Sequence, residues 1–272
     1  MISQHEKAKK FQSLHENGNF FILPNPWDVG SAKLMSSKGF NALATTSAGF
    51  AMTLGKKDYQ LSRDELLVHI QSITQNSDLP LTADLENGFG DSPEVCAQTI
   101  KLGAQAGLVG GSIEDFTRNS DAPQYDITFA KERVAAAVEA ANSLDFPFML
   151  TARAENFFTG IPDLKDTILR LQAYQEAGAH VLYAPALRTL DDIKTVLSEV
   201  DRPLNVLLGP VTDFVNMQTL KDIGVTRVSM GPVLMNNAYS GLLHSLEQLS
   251  TKGELTPIMQ GIENEGLIAA TN

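Results

Sequence analysis

The chain has 272 residues, of which 43% are hydrophobic and 19% charged, with a formal net charge of −11; this balance supports a sizeable core and excludes wholesale disorder. The acidic excess argues against nucleic acid or an anionic membrane surface as the main partner. Cys96 is the single cysteine, so neither an intrachain disulfide nor a thiolate-rich zinc site is available.

Lys7, Lys9 and Lys10 are not followed by an apolar stretch long enough for a signal peptide, and no run of about eighteen apolar residues occurs. A cytoplasmic location is the expectation. From there, short apolar runs rich in β-branched residues alternate with amphipathic stretches to the end, without a linker or charge block. Strands are predicted over 20–23, 42–47, 79–85, 108–113, 148–152, 181–184, 204–208 and 227–230. Ser62-Arg63-Asp64-Glu65 reads as a capping box, and Asp91-Ser92-Pro93 places a cap before a first-turn proline. Leu164, Ile168 and Leu171 share a helical face after Asp163, and Gly178 falls where that helix should stop. Eight strand–helix units in one domain spanning 1–272 predict a (β/α)8 TIM-type barrel, with a C-terminal helical extension over about 240–272. No G-x-G-x-x-G follows the first strand, which weakens a dinucleotide-binding reading.

In such barrels the chemistry sits at the carboxyl ends of the strands. Asp84 and Glu86 close the third predicted strand, Glu114 the fourth and Arg153 the fifth, while Asp58 lies in the loop after the second. Hard divalent cations prefer oxygen ligands and keep several waters, so this ring of acids is a plausible cradle for Mg²⁺, or for Mn²⁺. Arg153 is placed to grip a substrate carboxylate or to form an internal salt bridge with Glu155 or Glu114. Ser47, Ala48 and Gly49 offer backbone donors to an oxyanion, or simply make a turn. Asn205 is placed to point an amide at a ligand or to bond internally. Trp27 is a candidate pocket wall or ordinary packing. None of the five histidines falls at a predicted strand's carboxyl end, which disfavours a histidine base or histidine-metal cluster.

Asp84-Leu85-Glu86-Asn87-Gly88-Phe89-Gly90, Ser112-Ile113-Glu114-Asp115, Thr151-Ala152-Arg153 and Gly55-Lys56-Lys57-Asp58 together resemble the isocitrate lyase and phosphoenolpyruvate mutase superfamily. The resemblance implies a Mg²⁺-dependent enzyme acting on a small 2-oxo acid or dicarboxylate through an enolpyruvate-type intermediate. It implies Asp84 in direct contact with the metal, and Asp58, Glu86 and Glu114 acting largely through its waters. It also implies an oxyanion site at 47–49, Arg153 on the substrate acid, and a homodimer or homotetramer that exchanges a C-terminal helix, for which 242–249 is the candidate.

The chain departs from the pattern at two places. Lyases of the family carry a Lys-Cys-Gly-His loop after strand four where this chain has Phe116-Thr117-Arg118-Asn119-Ser120-Asp121, and relatives place Glu or His where it has Tyr183-Ala184-Pro185. Decarboxylation or C–C cleavage of an unusual substrate is therefore the leading expectation. The alternatives are P–C chemistry on phosphonopyruvate with Arg118 and Arg153, a 2-oxo-acid binder without turnover, and a phosphate barrel using Gly209-Pro210 and Gly231-Pro232.

Overall fold

The computed structural model describes residues 2–16, 18–209 and 216–253. Eight parallel strands run in the order β1-β8-β7-β6-β5-β4-β3-β2. They are β1 (Phe21–Leu23), β2 (Leu43–Ala44), β3 (Leu81–Asp84), β4 (Gly110–Glu114), β5 (Met149–Arg153), β6 (Val181–Tyr183), β7 (Leu204–Leu207) and β8 (Arg227–Ser229). The Ala44 amide donates to the Pro24 carbonyl at 3.1 Å, which joins the two ends of the sheet. The predicted (β/α)8 barrel is the observed fold.

Helices follow each strand because the sequence marks their starts. Ser62 caps α4 (Arg63–Thr74) in the predicted box with Glu65, and Ser92 with Pro93 opens α5 (Pro93–Gln105). Asp163 caps α7 (Leu164–Glu176), which ends before Gly178 at φ 94°, a left-handed conformation that glycine adopts without cost. Helices α2 (Val29–Ser37), α3 (Ser47–Thr53), α6 (Ile127–Asn142), α8 (Leu190–Glu199) and α9 (Met217–Asp222) complete the outer ring.

Two apolar cores result. The larger lies between the sheet and the helices, where Leu66, Ile70, Ile73, Ile100 and Leu171 are fully buried. The smaller fills the amino-terminal end of the barrel: Phe21, Leu23, Val109, Met149 and Val181 meet Ala8 and Phe11 of α1 (Gln4–Ser13). Helix α1 thus plugs the floor, and the opposite mouth is left for chemistry.

At the other end of the chain, α10 (Val233–Lys252) runs 20 residues with Met235 its one buried residue. The predicted extension beyond 253 lies outside the described residues. So does Pro210 of the Gly209-Pro210 phosphate alternative.

Candidate active site

Thr46 rather than a longer strand explains where the site begins. The second strand was expected over 42–47, but it ends at Ala44, and Thr46 caps α3 by accepting from the Gly49 amide at 3.2 Å. Ser47 is therefore the first residue of a helix, and its hydroxyl swings inward to donate to Asp84 Oδ2 at 2.8 Å and Asp58 Oδ1 at 3.3 Å. Ser47 and Ala48 line the cavity. Gly49 does not line it, its N–H is taken by Thr46, and an added Cβ would meet Thr46 Cγ2 at 2.5 Å and Trp27 Cβ at 3.3 Å. Trp27 likewise packs against the core rather than the cavity.

The other predicted residues converge. Arg153 donates from Nη1 to Asp84 Oδ1 at 2.9 Å and from Nε to Glu155 Oε1 at 2.8 Å, and its Nη2 is 3.1 Å from Glu114 Oε2. Of the two roles open to Arg153 in the sequence, the structure shows the internal one. Burial opposes its charge, but Glu155, Glu114 and Asp84 keep it firmly protonated. Glu86 pairs with Arg118 of the loop after β4, and that guanidinium stacks over the Tyr59 and Phe89 rings, 5.7 and 5.4 Å from their centroids. Tyr59, Glu86, Phe89 and Arg118 all have φ between 49° and 64°, a conformation uncommon for non-glycine residues. Such strain collects at functional rims.

The electrostatics are unbalanced. Around this rim Asp58, Asp84, Glu86, Glu114 and Glu155 face the two guanidiniums of Arg118 and Arg153. Burial first and Asp84 second push Glu86 up to about 8. Burial, against the pull of Arg153, raises Glu155 to about 7 and holds Glu114 well above the carboxylate range. Asp58 is exposed as a residue, but its carboxylate is tucked under Ser47 and the Tyr59 amide, and this burial, with Asp84, raises it too. Glu86 Oε1, Glu114 Oε1 and Glu155 Oε2 are buried with no hydrogen-bond partner, and such oxygens ordinarily have one.

These observations test the fit of a divalent ion. Among the described residues, no three His, Cys, Asp or Glu side chains stand together as a direct metal cage. The excess of carboxylates and their unpartnered oxygens instead suit a hydrated cation, held by one acid directly and by others through water. In that limited sense the residues fit Mg²⁺.

Below the rim lies a cavity of about 100 Å³ lined by Asn25, Thr82, Ser112, Thr151, Tyr183, Asn205, Arg227 and Ser229 among others. No histidine or cysteine lines it among the described residues. Asn205 bonds internally: it accepts from Arg227 Nε at 2.7 Å and donates to Ser229 Oγ at 2.9 Å. Tyr59, Tyr183 and Arg227 are the functional candidates that sequence reasoning missed. Arg227 carried a signal, since a charged residue opens a strand that is otherwise buried.

Against known proteins, the family model described as phosphoenolpyruvate phosphomutase matches residues 11–250. The crystal structure of a "putative lyase/mutase" from Burkholderia cenocepacia J2315 superposes with a TM-score of 0.95 at 45% identity, covering 98% of this chain and 95% of that one. The 2-methylisocitrate lyase of Escherichia coli (strain K12) is 29% identical over 95% of this chain and 90% of its own length. The oxaloacetate decarboxylase of Pseudomonas entomophila (strain L48) is 25% identical over 84% of this chain and 80% of its own.

Proposed function

This chain belongs to the phosphoenolpyruvate phosphomutase family, within the isocitrate lyase and phosphoenolpyruvate mutase superfamily, and we propose that it is a Mg²⁺-dependent enzyme cleaving a C–C bond of a small 2-oxo acid or dicarboxylate. Decarboxylation of an oxaloacetate-type substrate is the preferred form of that reaction. The observation that carries the reading is the rim of five carboxylates, three with a buried oxygen lacking a partner, above a small cavity.

Asp84 is the residue to hold the metal, with Asp58, Glu86 and Glu114 on its waters; Mn²⁺ suits the same oxygen set. When bound, the metal supplies the positive charge that a 2-oxo acid needs as its keto oxygen turns negative. The remaining work belongs to the chain. Ser47 fixes the orientation of Asp84 by hydrogen bond, and Arg153 holds Asp84, Glu114 and Glu155 in one arrangement. The Tyr59 ring lies edge-on to Phe116 with centroids 4.9 Å apart, and Tyr59 and Phe158 form part of the cavity wall.

Proton supply separates decarboxylation from aldol cleavage. In the cavity the phenols Tyr59 and Tyr183, both kept protonated by burial, are placed to give a proton, and among the described residues no histidine lines it to take one. A product carbanion after CO₂ loss needs one proton, whereas aldol cleavage also needs a base for the substrate hydroxyl. That difference favours decarboxylation.

The test is a coupled assay for pyruvate released from oxaloacetate, with Mg²⁺ and with chelator. Wild-type activity is expected to depend on the metal, and Asp84→Ala should lower kcat/KM by at least ~100-fold. Phosphate released from phosphonopyruvate, without decarboxylation, would move the reading to P–C chemistry. Stabilisation by Mg²⁺ and oxaloacetate without turnover would reduce it to a binding barrel.

A further inference from the structure

Barrel interiors are ordinarily filled by layers of branched apolar side chains. Here polar side chains lie below the acid rim instead: Thr82, Ser112, Thr151, Asn205, Arg227 and Ser229 all line the cavity. Arg227 is the anomaly within it. The residue is only 4% exposed, and among the described residues its guanidinium bonds to neutral acceptors: Asn205 Oδ1 at 2.7 Å, Thr151 Oγ1 at 3.0 Å and His15 Nε2 at 3.2 Å.

His15 sits just beyond the end of the plug helix α1. Its Nδ1 donates to the Phe11 carbonyl oxygen at 2.8 Å, which leaves Nε2 as an acceptor. Burial and the adjacent Arg227 push its pKa down to about 3, so it adds no compensating negative charge and takes up no proton near neutrality. An arginine has five N–H donors, and three of them find acceptors here. Among the described residues no carboxylate pairs with this guanidinium. Arg153, two residues beyond Thr151 on the same face of β5, has its charge met by three acids. The uncompensated positive charge on the cavity wall is therefore that of Arg227, and a buried charge calls for a counter-ion.

We propose that Arg227 anchors a carboxylate of the substrate at the floor of the cavity, through its two unused N–H donors, and so selects diacids over monoacids. The inference deepens the 2-oxo acid reading and rests on it for the position of the other end of the substrate. Thr151 and Arg153 are separated by roughly 7 Å of strand rise. A diacid whose 2-oxo acid end lies at the rim would bring its second carboxylate down to the Thr151 level, where the Arg227 guanidinium is hydrogen-bonded. A monoacid of the same kind would leave that charge unmet.

Malonate and acetate are the probes, because neither needs a metal or turnover to bind. Calorimetry on the full chain should show malonate binding at least about tenfold tighter than acetate, the scale of one charge-assisted pair. Asn205→Asp is nearly isosteric and sets a carboxylate against Arg227 Nε. It should leave the melting temperature equal or higher, while the preference for malonate collapses. A crystal structure with malonate should place one carboxylate within hydrogen-bonding distance of an Arg227 Nη atom. Water alone against Arg227 in that crystal, or an unchanged malonate preference in Asn205→Asp, would overturn the proposal and leave Arg227 as a brace for the plug helix. If malonate docks on Arg227 while oxaloacetate is not turned over, the anion site stands and the catalytic reading fails.

Discussion

Each acid of the rim is held by something that also restrains it, and this sets its pH behaviour. Glu86 and Glu155, raised to about 8 and about 7 by burial first, bind their protons more tightly in the folded chain than in the unfolded one. Their contribution is present below the ordinary carboxylate range and is lost as pH climbs through 7 and 8. Scanning calorimetry should therefore show a smaller decline in Tm between pH 6 and pH 9 for Glu86→Gln than for wild type; equal declines would contradict the assignment. His15 runs in the opposite direction, since its folded pKa of about 3 lies below the ordinary value of 6.5. It costs stability as pH falls from 6.5 toward 3, because the unfolded chain takes up the proton first. His15→Gln keeps an acceptor for Arg227, and its Tm should drop less than that of wild type between pH 7 and pH 4. His69, lowered to about 4 by burial, shapes the same limb in both proteins and cancels in the difference.

Among elements, α1 precedes the first strand–helix unit, and α10, the helix after β8, has Met235 as its one buried residue. Helix α1 closes the floor because Gly110 leaves room for it: a Cβ there would meet Met149 O at 2.8 Å, Phe11 Cε1 at 2.9 Å and Thr82 Oγ1 at 2.9 Å. Gly110→Ala should destabilise the fold by about 1–3 kcal/mol, the usual cost of overpacking, and an unchanged denaturant midpoint would show that Phe11 has slack. Helix α10 presents Leu242, Leu243, Leu246 and Leu249 to solvent at 54%, 58%, 52% and 44% exposure. Leu242, Leu243 and Leu246, with Met52, Met235 and Tyr239, line an apolar groove of about 720 Å³ beside α3, and exposed patches of this kind mark interfaces. A second copy of this chain, exchanging α10, is the occupant we propose. The double variant Leu243→Asp, Leu246→Asp should run as a monomer in light scattering where wild type runs as a dimer or tetramer; a monomeric wild type would end the proposal.

At the scale of the whole molecule, the barrel was legible because every strand is a short apolar run bounded by caps, and the eight runs fall within a few residues of the observed strands. The acid rim was legible for a related reason, since a polar residue ending an apolar strand has nowhere to go but the mouth. Pairing was legible only in part: Glu155 and Glu114 stood among the sequence's candidate partners for Arg153, but nothing in Thr151-Ala152-Arg153 announces that Asp84, from another strand, completes the guanidinium's shell. Ser47 was misplaced by a strand drawn too long, because the cap at Thr46 shows itself only when its hydroxyl meets the Gly49 amide. Arg227 escaped notice because its partners come from three separate parts of the chain: His15, Thr151 and Asn205.

The central claim is that the rim takes a divalent cation and that the cation and a 2-oxo acid bind together. Calorimetric titration of Mg²⁺ into wild-type protein, alone and with saturating oxalate as a planar stand-in for the 2-oxo acid, tests it most directly. Oxalate should tighten Mg²⁺ binding several-fold and Mg²⁺ should tighten oxalate by the same factor, as linkage requires, with Asp84→Asn abolishing both effects. Mg²⁺ binding that is absent, or indifferent to oxalate, would contradict the account.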